Sequence, residues 1–110
     1  MARLVSSLLY AQPFQMDAAG ETVRDWLPIR DLASGLLRAA EAGPAQSRFD
    51  LSVGAERRDI DIAESVCALL DELRPKGDGS SYKAQITHVQ DRPGHDRRYA
   101  IDARKIEREL

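Results

Sequence analysis

The chain has 110 residues, 43% hydrophobic and 31% charged, with a formal net charge of −2. That balance fits one small α/β domain and excludes a disordered chain, and the slight acidic excess argues against a general nucleic-acid binder. A single cysteine rules out an intrachain disulfide and fits a reducing, cytoplasmic setting, and no apolar run nears the ~20 residues of a membrane span.

Leu4, Val5, Leu8 and Leu9 recur at helical spacing and predict a helix over residues 2–11, closed before Pro13. Two serines interrupt this apolar start and no small-residue cleavage site follows, so it is not read as a signal peptide. A weak extended piece is expected at 13–16, then a turn at Ala18-Ala19-Gly20 and a strand over 22–27. Trp26, the lone tryptophan, is assigned to core packing.

Ile29, Leu32, Ala33, Leu36, Leu37 and Ala40 mark the expected buried face of a helix over 29–42, stopped by Gly43-Pro44. Phe49-Asp50-Leu51-Ser52-Val53 alternates strictly and predicts a strand. A third helix is expected over 62–74, capped by Asp61 with Glu64 three residues on. Its expected buried stripe is Ile62, Val66, Leu69, Leu70 and Leu73, with Cys67 on the flank as a packed small residue. A loop follows, then a strand over 85–89, and a last helix over 103–110 capped by Asp102. Ala103, Ile106 and Leu110 share one of its faces. The fold class expected is therefore α/β, with about four helices and three to four short strands.

Between the 85–89 strand and the last helix runs Asp91-Arg92-Pro93-Gly94-His95-Asp96-Arg97-Arg98-Tyr99-Ala100-Ile101-Asp102. Pro93 presets its own φ and Gly94 tolerates a positive one, so the pair reads as a turn. Arg92, Arg97 and Arg98 offer planar, bidentate donors suited to a phosphate; a solvated loop tied by Arg–Asp pairs is the alternative. His95 is read as a hydrogen-bond partner that stabilises the turn.

This segment resembles the signature near the C-terminus of dTDP-glucose 4,6-dehydratases, in the extended short-chain dehydrogenase/reductase superfamily. The resemblance extends through Val23-Arg24-Asp25-Trp26-Leu27 and Asp31 to Gly43, through Ile60-Asp61-Ile62 and residues 67–73, and through Gln85-Ile86-Thr87. It implies the fold of the family's C-terminal domain over 1–110, with the dinucleotide-binding domain absent. It also implies that Arg24 and Arg92 contact a diphosphate, and it assigns substrate binding to Arg24, Asp91, Arg92, Pro93, Gly94 and His95.

Other family features are missing from the sequence. No glycine-rich phosphate loop follows a strand. The family's Tyr-x-x-x-Lys pair is absent: Phe14, Ile86 and Ala103 stand four residues after Tyr10, Tyr82 and Tyr99. Asp17-Ala18 replaces a family Tyr-Gly pair, and Ala55 replaces an asparagine. No catalytic residue, metal or cofactor is therefore expected in this chain, although the full-length family uses NAD. Weak binding of a dTDP-sugar is the expected function. The alternatives are a stand-alone, non-catalytic interaction module on the same fold, or a domain of a related sugar-nucleotide epimerase or decarboxylase. The family continues past the position of Leu110 and packs this region against its dinucleotide half, so uncovered apolar surface and self-association are expected too.

Overall fold

Two short parallel strands and the helix between them organise the first part of the molecule. The computed structural model describes residues 1–91 and 93–110. Four helices and four strands follow in the order α1 (Ala2–Leu9), β1 (Phe14–Asp17), β2 (Val23–Asp25), α2 (Ile29–Ala42), β3 (Glu56–Arg58), α3 (Asp59–Leu73), β4 (Ile86–Val89) and α4 (Arg104–Glu109). The chain divides into two units: Met1–Thr22 with Arg58–Arg97, and Val23–Arg57 with Arg98–Leu110. No helix among the described residues is long and apolar enough to cross a membrane.

In the first unit β1 pairs with β4 in parallel, Phe14 opposite Ile86 and Met16 opposite His88. Parallel neighbours need a long crossover connection, which here contains α3. Leu4 and Leu8, one turn apart on α1, pack with Met16, Ala63, Cys67 and Tyr82 into the core; Phe14, Ile60, Val66, Leu70 and Ile86 close around it. Leu69 and Leu73, expected inside, are 55% and 77% exposed. The small Ala63 and Cys67 form the centre of the buried face instead, because only short side chains leave room for α1 to lie close against α3. Burial pushes the Cys67 thiol up from its ordinary range, as befits a packed residue.

The helix ends differ from expectation for local reasons. α1 stops at Leu9 because Ala11 turns left-handed, φ 54°. Its last carbonyls do not go unmet: Gln85 Nε2 donates to Gln12 O at 2.9 Å and to Ser7 O and Leu8 O at 3.4 Å. Gln85 is thereby removed from the strand, and β4 begins at Ile86. α3 starts at Asp59, before the expected cap. Asp61 is held inside the first turn by the Arg58 guanidinium, at 2.9 and 2.7 Å, and Arg58 also reaches Glu21 at 3.2 Å. The loop after α3 is tied back through Asp71, which accepts from Ser81 Oγ at 2.5 Å and Tyr82 N at 2.8 Å, while the Tyr82 hydroxyl donates to Arg74 O at 2.9 Å.

In the second unit β2 pairs with β3, and Trp26 N donates to Ala55 O at 3.1 Å. The strand expected over 49–53 is absent. Phe49 and Leu51 do turn inward, but onto side chains: Leu51 seats against Gly35, where a Cβ would come within 2.6 Å of it, and Lys105 lies over the Phe49 ring at 4.8 Å. Ser52 donates its hydroxyl to Asp25 and accepts from Gly54 N, which curls the segment away from a ladder. The ladder passes to the charged tripeptide Glu56-Arg57-Arg58.

α2 keeps its expected ends, but the side it buries is different. Leu32, Gly35 and Ala39 are its half-buried positions, whereas Ile29, Leu36 and Leu37 are 79%, 57% and 60% exposed. Leu51 selects the glycine side because its branched end fits where no Cβ stands. Gly43 serves α2 by the same lack of bulk, at φ −70°: a Cβ there would lie 2.4 Å from Ala39 O. Asp102 supports α4 by accepting from Arg104 N at 3.1 Å, and Ala103 is buried as expected.

The turn after β1 stores backbone strain. Ala18 and Ala19 take φ of 49° and 54°, and Gly20 takes 77°. A left-handed conformation costs an L-residue about 1–2 kcal/mol, and Ala18 stands where the resemblance places a glycine. Ala18→Gly should therefore raise stability by about 1 kcal/mol in urea unfolding. Gly20→Ala should lower it by about 2 kcal/mol or more, because its Cβ would also lie 2.2 Å from Met16 Sδ and 2.6 Å from Ile60 Cβ. Gly79→Ala, with the same backbone sign but open space around it, should cost only about 1 kcal/mol.

Candidate functional site

β2 carries Arg24 as its middle residue, half-buried. Alongside it the far end of the 91–102 segment runs parallel: Arg98 forms a bridge with Val23, and Tyr99 N donates to Val23 O at 2.9 Å. This pairing sets the Arg24 guanidinium over the Tyr99 ring, 5.6 Å from its centroid, within the range of a cation–π contact. Arg98 turns to β3 and donates twice to the Glu56 carboxylate, at 2.8 Å each. That fork-to-fork pair takes Arg98 out of the set of anion donors. Its hydrogen bonds hold the Glu56 carboxyl below the ordinary glutamate value of 4.5.

The near end of the segment belongs to the first unit. Pro93-Gly94 forms the expected turn, with Gly94 at φ 75° and open space where a Cβ would stand. His95 Nδ1 lies 2.8 Å from Asp91 Oδ1, with the His95 side chain only 11% exposed. A carboxylate can only accept, so Nδ1 carries the proton and Nε2 is left as the free ring nitrogen in the neutral form. The histidine thus has the turn-stabilising role expected of it. Arg92 lies outside the described residues.

Asp91 also lines a concavity of about 350 Å³ with Ala18, Glu21, Thr22 and Arg97, at the lower end of small-ligand cavity sizes. Its acidic members have partners: Glu21 is paired with Arg58, and Asp91 with His95. Arg97 is exposed. Of the expected site residues, the structure therefore groups Asp91, Pro93, Gly94 and His95 in one turn of the first unit, and sets Arg24 beside Tyr99 in the second. Tyr99, Glu21 and Thr22 were not singled out as site residues by the sequence. The aromatic next to an arginine pair was the only available signal for Tyr99. Glu21 and Thr22 join through a turn whose φ angles no motif encodes. Ala55 contributes its carbonyl to the β2 ladder. Among the described residues no group of three His, Cys, Asp or Glu is placed to hold a metal ion.

The Glu56–Arg98 pair yields a pH prediction. Because the folded carboxyl titrates below 4.5, the pair's contribution is complete above that value and is lost as pH falls through the lower, folded one. NMR titration should place the Glu56 midpoint below 4.5 in the wild type and return it towards 4.5 in Arg98→Gln.

Comparison with known proteins follows the same lines. No family model matches the chain. It is 42% identical over 107 residues to the dTDP-glucose 4,6-dehydratase of Salmonella typhimurium, a match covering 97% of this chain and 29% of that protein. It is 48% identical over 91 residues to the Shigella flexneri dTDP-glucose 4,6-dehydratase, covering 83% of this chain and 25% of that one. The crystal structure of the Streptomyces venezuelae dTDP-glucose 4,6-dehydratase with NAD and TYD bound superposes with a TM-score of 0.79 at 29% identity, over all of this chain and 31% of that one. The chain thus spans about 30% of the length of the relatives it matches.

Proposed function

We propose, from the premise that this chain is a C-terminal part of the dTDP-glucose 4,6-dehydratase family, that it binds a nucleotide diphosphate sugar and performs no chemistry by itself. The observation that carries this reading is the pairing of residues 98–99 with β2, which ties the family's signature segment to the strand that bears Arg24. Arg24 and Arg92 each supply a guanidinium to the diphosphate oxygens. Pro93-Gly94 and the Asp91–His95 hydrogen bond shape the turn of the signature segment. Tyr99 holds the Arg24 side chain by its ring face and limits the rotamers it must give up on binding.

NAD is the family's hydride carrier, and no residue of this chain is assigned to it. Among the described residues no strand runs through a glycine-rich turn into a helix N-terminus, the arrangement that holds a dinucleotide pyrophosphate. Tyr82, one of three tyrosines in the chain, is buried in the core with its hydroxyl committed to Arg74 O, so it offers no proton to a substrate.

Calorimetric titration with dTDP and dTDP-glucose tests the reading. Binding should be weak and should weaken further with salt, because the arginine–phosphate contacts are partly exposed. Arg24→Ala and Arg92→Ala should each reduce affinity about tenfold or more, the effect of losing one hydrogen bond to a charged group, about 1.5–3 kcal/mol. Binding that neither substitution alters would contradict the assignment. No binding at millimolar nucleotide would favour the non-catalytic interaction module, to which Asp17, Ala18 and Ala55 in place of the family's residues also point.

A further inference from the structure

Asp78-Gly79 is the one place in the sequence where a glycine follows an aspartate. Such a pair is the easiest point in a polypeptide for a backbone nitrogen to attack the side chain before it. Gly79 N would bond to Asp78 Cγ and lose its proton, while the carboxyl hydroxyl leaves as water. The five-membered imide so formed takes up water at its main-chain carbonyl and opens to an isoaspartate, with the chain rerouted through the side chain. Glycine favours the reaction because it brings no side chain against the ring, and nothing stands within 4 Å of where a Gly79 Cβ would lie. The chain contains no asparagine, so loss of a side-chain amide cannot supply the same ring elsewhere.

The fold opposes each requirement of that reaction. The attacking nitrogen is engaged: Gly79 N donates to Lys76 O at 3.1 Å and closes a turn over residues 76–79. The carboxyl is engaged too. Asp78 Oδ1 accepts from Ser80 Oγ at 2.7 Å and from Ser80 N at 2.9 Å, one residue beyond the nitrogen that Cγ would have to meet. Its oxygen can leave as water only once the carboxyl is protonated. The Ser80 hydroxyl, and then the Ser80 amide, favour the ionised form and hold Asp78 below the ordinary aspartate value of 3.8. The base of the loop is pinned as well. Asp71 holds Ser81 Oγ and Tyr82 N, and the Tyr82 hydroxyl holds Arg74 O, so ring closure has to break bonds in a turn whose ends are fixed.

We propose that Asp78-Gly79 is a protected modification site, and that Ser80 guards it: its hydroxyl and amide hold the Asp78 carboxylate in place while the Lys76–Gly79 bond withholds the nucleophile. Residues 76–80 include none of those assigned to the nucleotide, so the two readings stand or fall separately.

Peptide mapping by mass spectrometry, with isoaspartyl methyltransferase to count the product, tests this over weeks at neutral pH. Isoaspartate at residue 78 should accumulate at least about tenfold more slowly in the folded wild type than in the same chain unfolded in guanidinium chloride, the factor that two local hydrogen bonds are worth. Ser80→Ala keeps the amide donor and loses the hydroxyl. It should speed the folded rate about threefold to tenfold, with an unchanged circular dichroism spectrum. Ser80→Thr keeps both donors and should restore the wild-type rate. A folded wild type that isomerises as fast as the unfolded chain would overturn the protection. A Ser80→Ala rate equal to that of the wild type would overturn the role given to Ser80.

Discussion

A single backbone pairing gives the 91–102 segment its place. Tyr99 N–H bonded to Val23 O, beside the isolated Val23–Arg98 bridge, lays the end of that segment along β2. Strand alternation then does the rest. Arg24 meets the Tyr99 ring, Arg98 is sent to Glu56 on β3, and Asp102 is left in position to support the first turn of α4. A change that broke this pairing would release an arginine, an aromatic ring and a helix start together. The segment is therefore a structural joint.

Four arginines in or beside the segment are held in different ways. Arg98 is locked by a bidentate carboxylate and Arg58 by Glu21 and Asp61, so both act as struts. Arg97 stands exposed at the rim of the concavity, and Arg24 lies over the Tyr99 ring. Sequence reading had weighed an anion site against a loop tied by Arg–Asp pairs. Among the described residues the ties are there, made by Arg98 to Glu56 and by the His95–Asp91 pair.

The sequence is most legible where a single face or a single turn residue decides the outcome. α2 runs from Ile29 to Ala42 because Pro28 precedes it, Gly43-Pro44 follows it and its apolar period is strong. Gly94 takes the positive φ that a Pro-Gly turn suggests. Legibility fails where the partner, and not the residue, decides. The alternation at 49–53 looked like a strand, yet its apolar residues pack on Gly35 and on Lys105, and the ladder was taken by Glu56-Arg57-Arg58, which has no apolar pattern at all. Ala63 and Cys67 became the centre of the core over Leu69 and Leu73, because a helix–helix contact rewards small residues that a hydrophobic count undervalues. Tyr82 was noticed only for a spacing it lacked, and it turned out to be core. Of the site, the turn and its histidine were readable from residue chemistry. Arg24 was readable only through the family resemblance, since nothing local distinguishes one strand arginine from another.

Nucleotide contacts are proposed at Arg24 on β2 and at the turn around Gly94 and His95. Amide chemical shifts of the isotope-labelled chain, followed as dTDP is added, test them most directly. The account predicts saturable shifts at Arg24, Gly94, His95 and Tyr99, with the amides of α2 unmoved. Shifts confined to other elements, or none at millimolar dTDP, would contradict it.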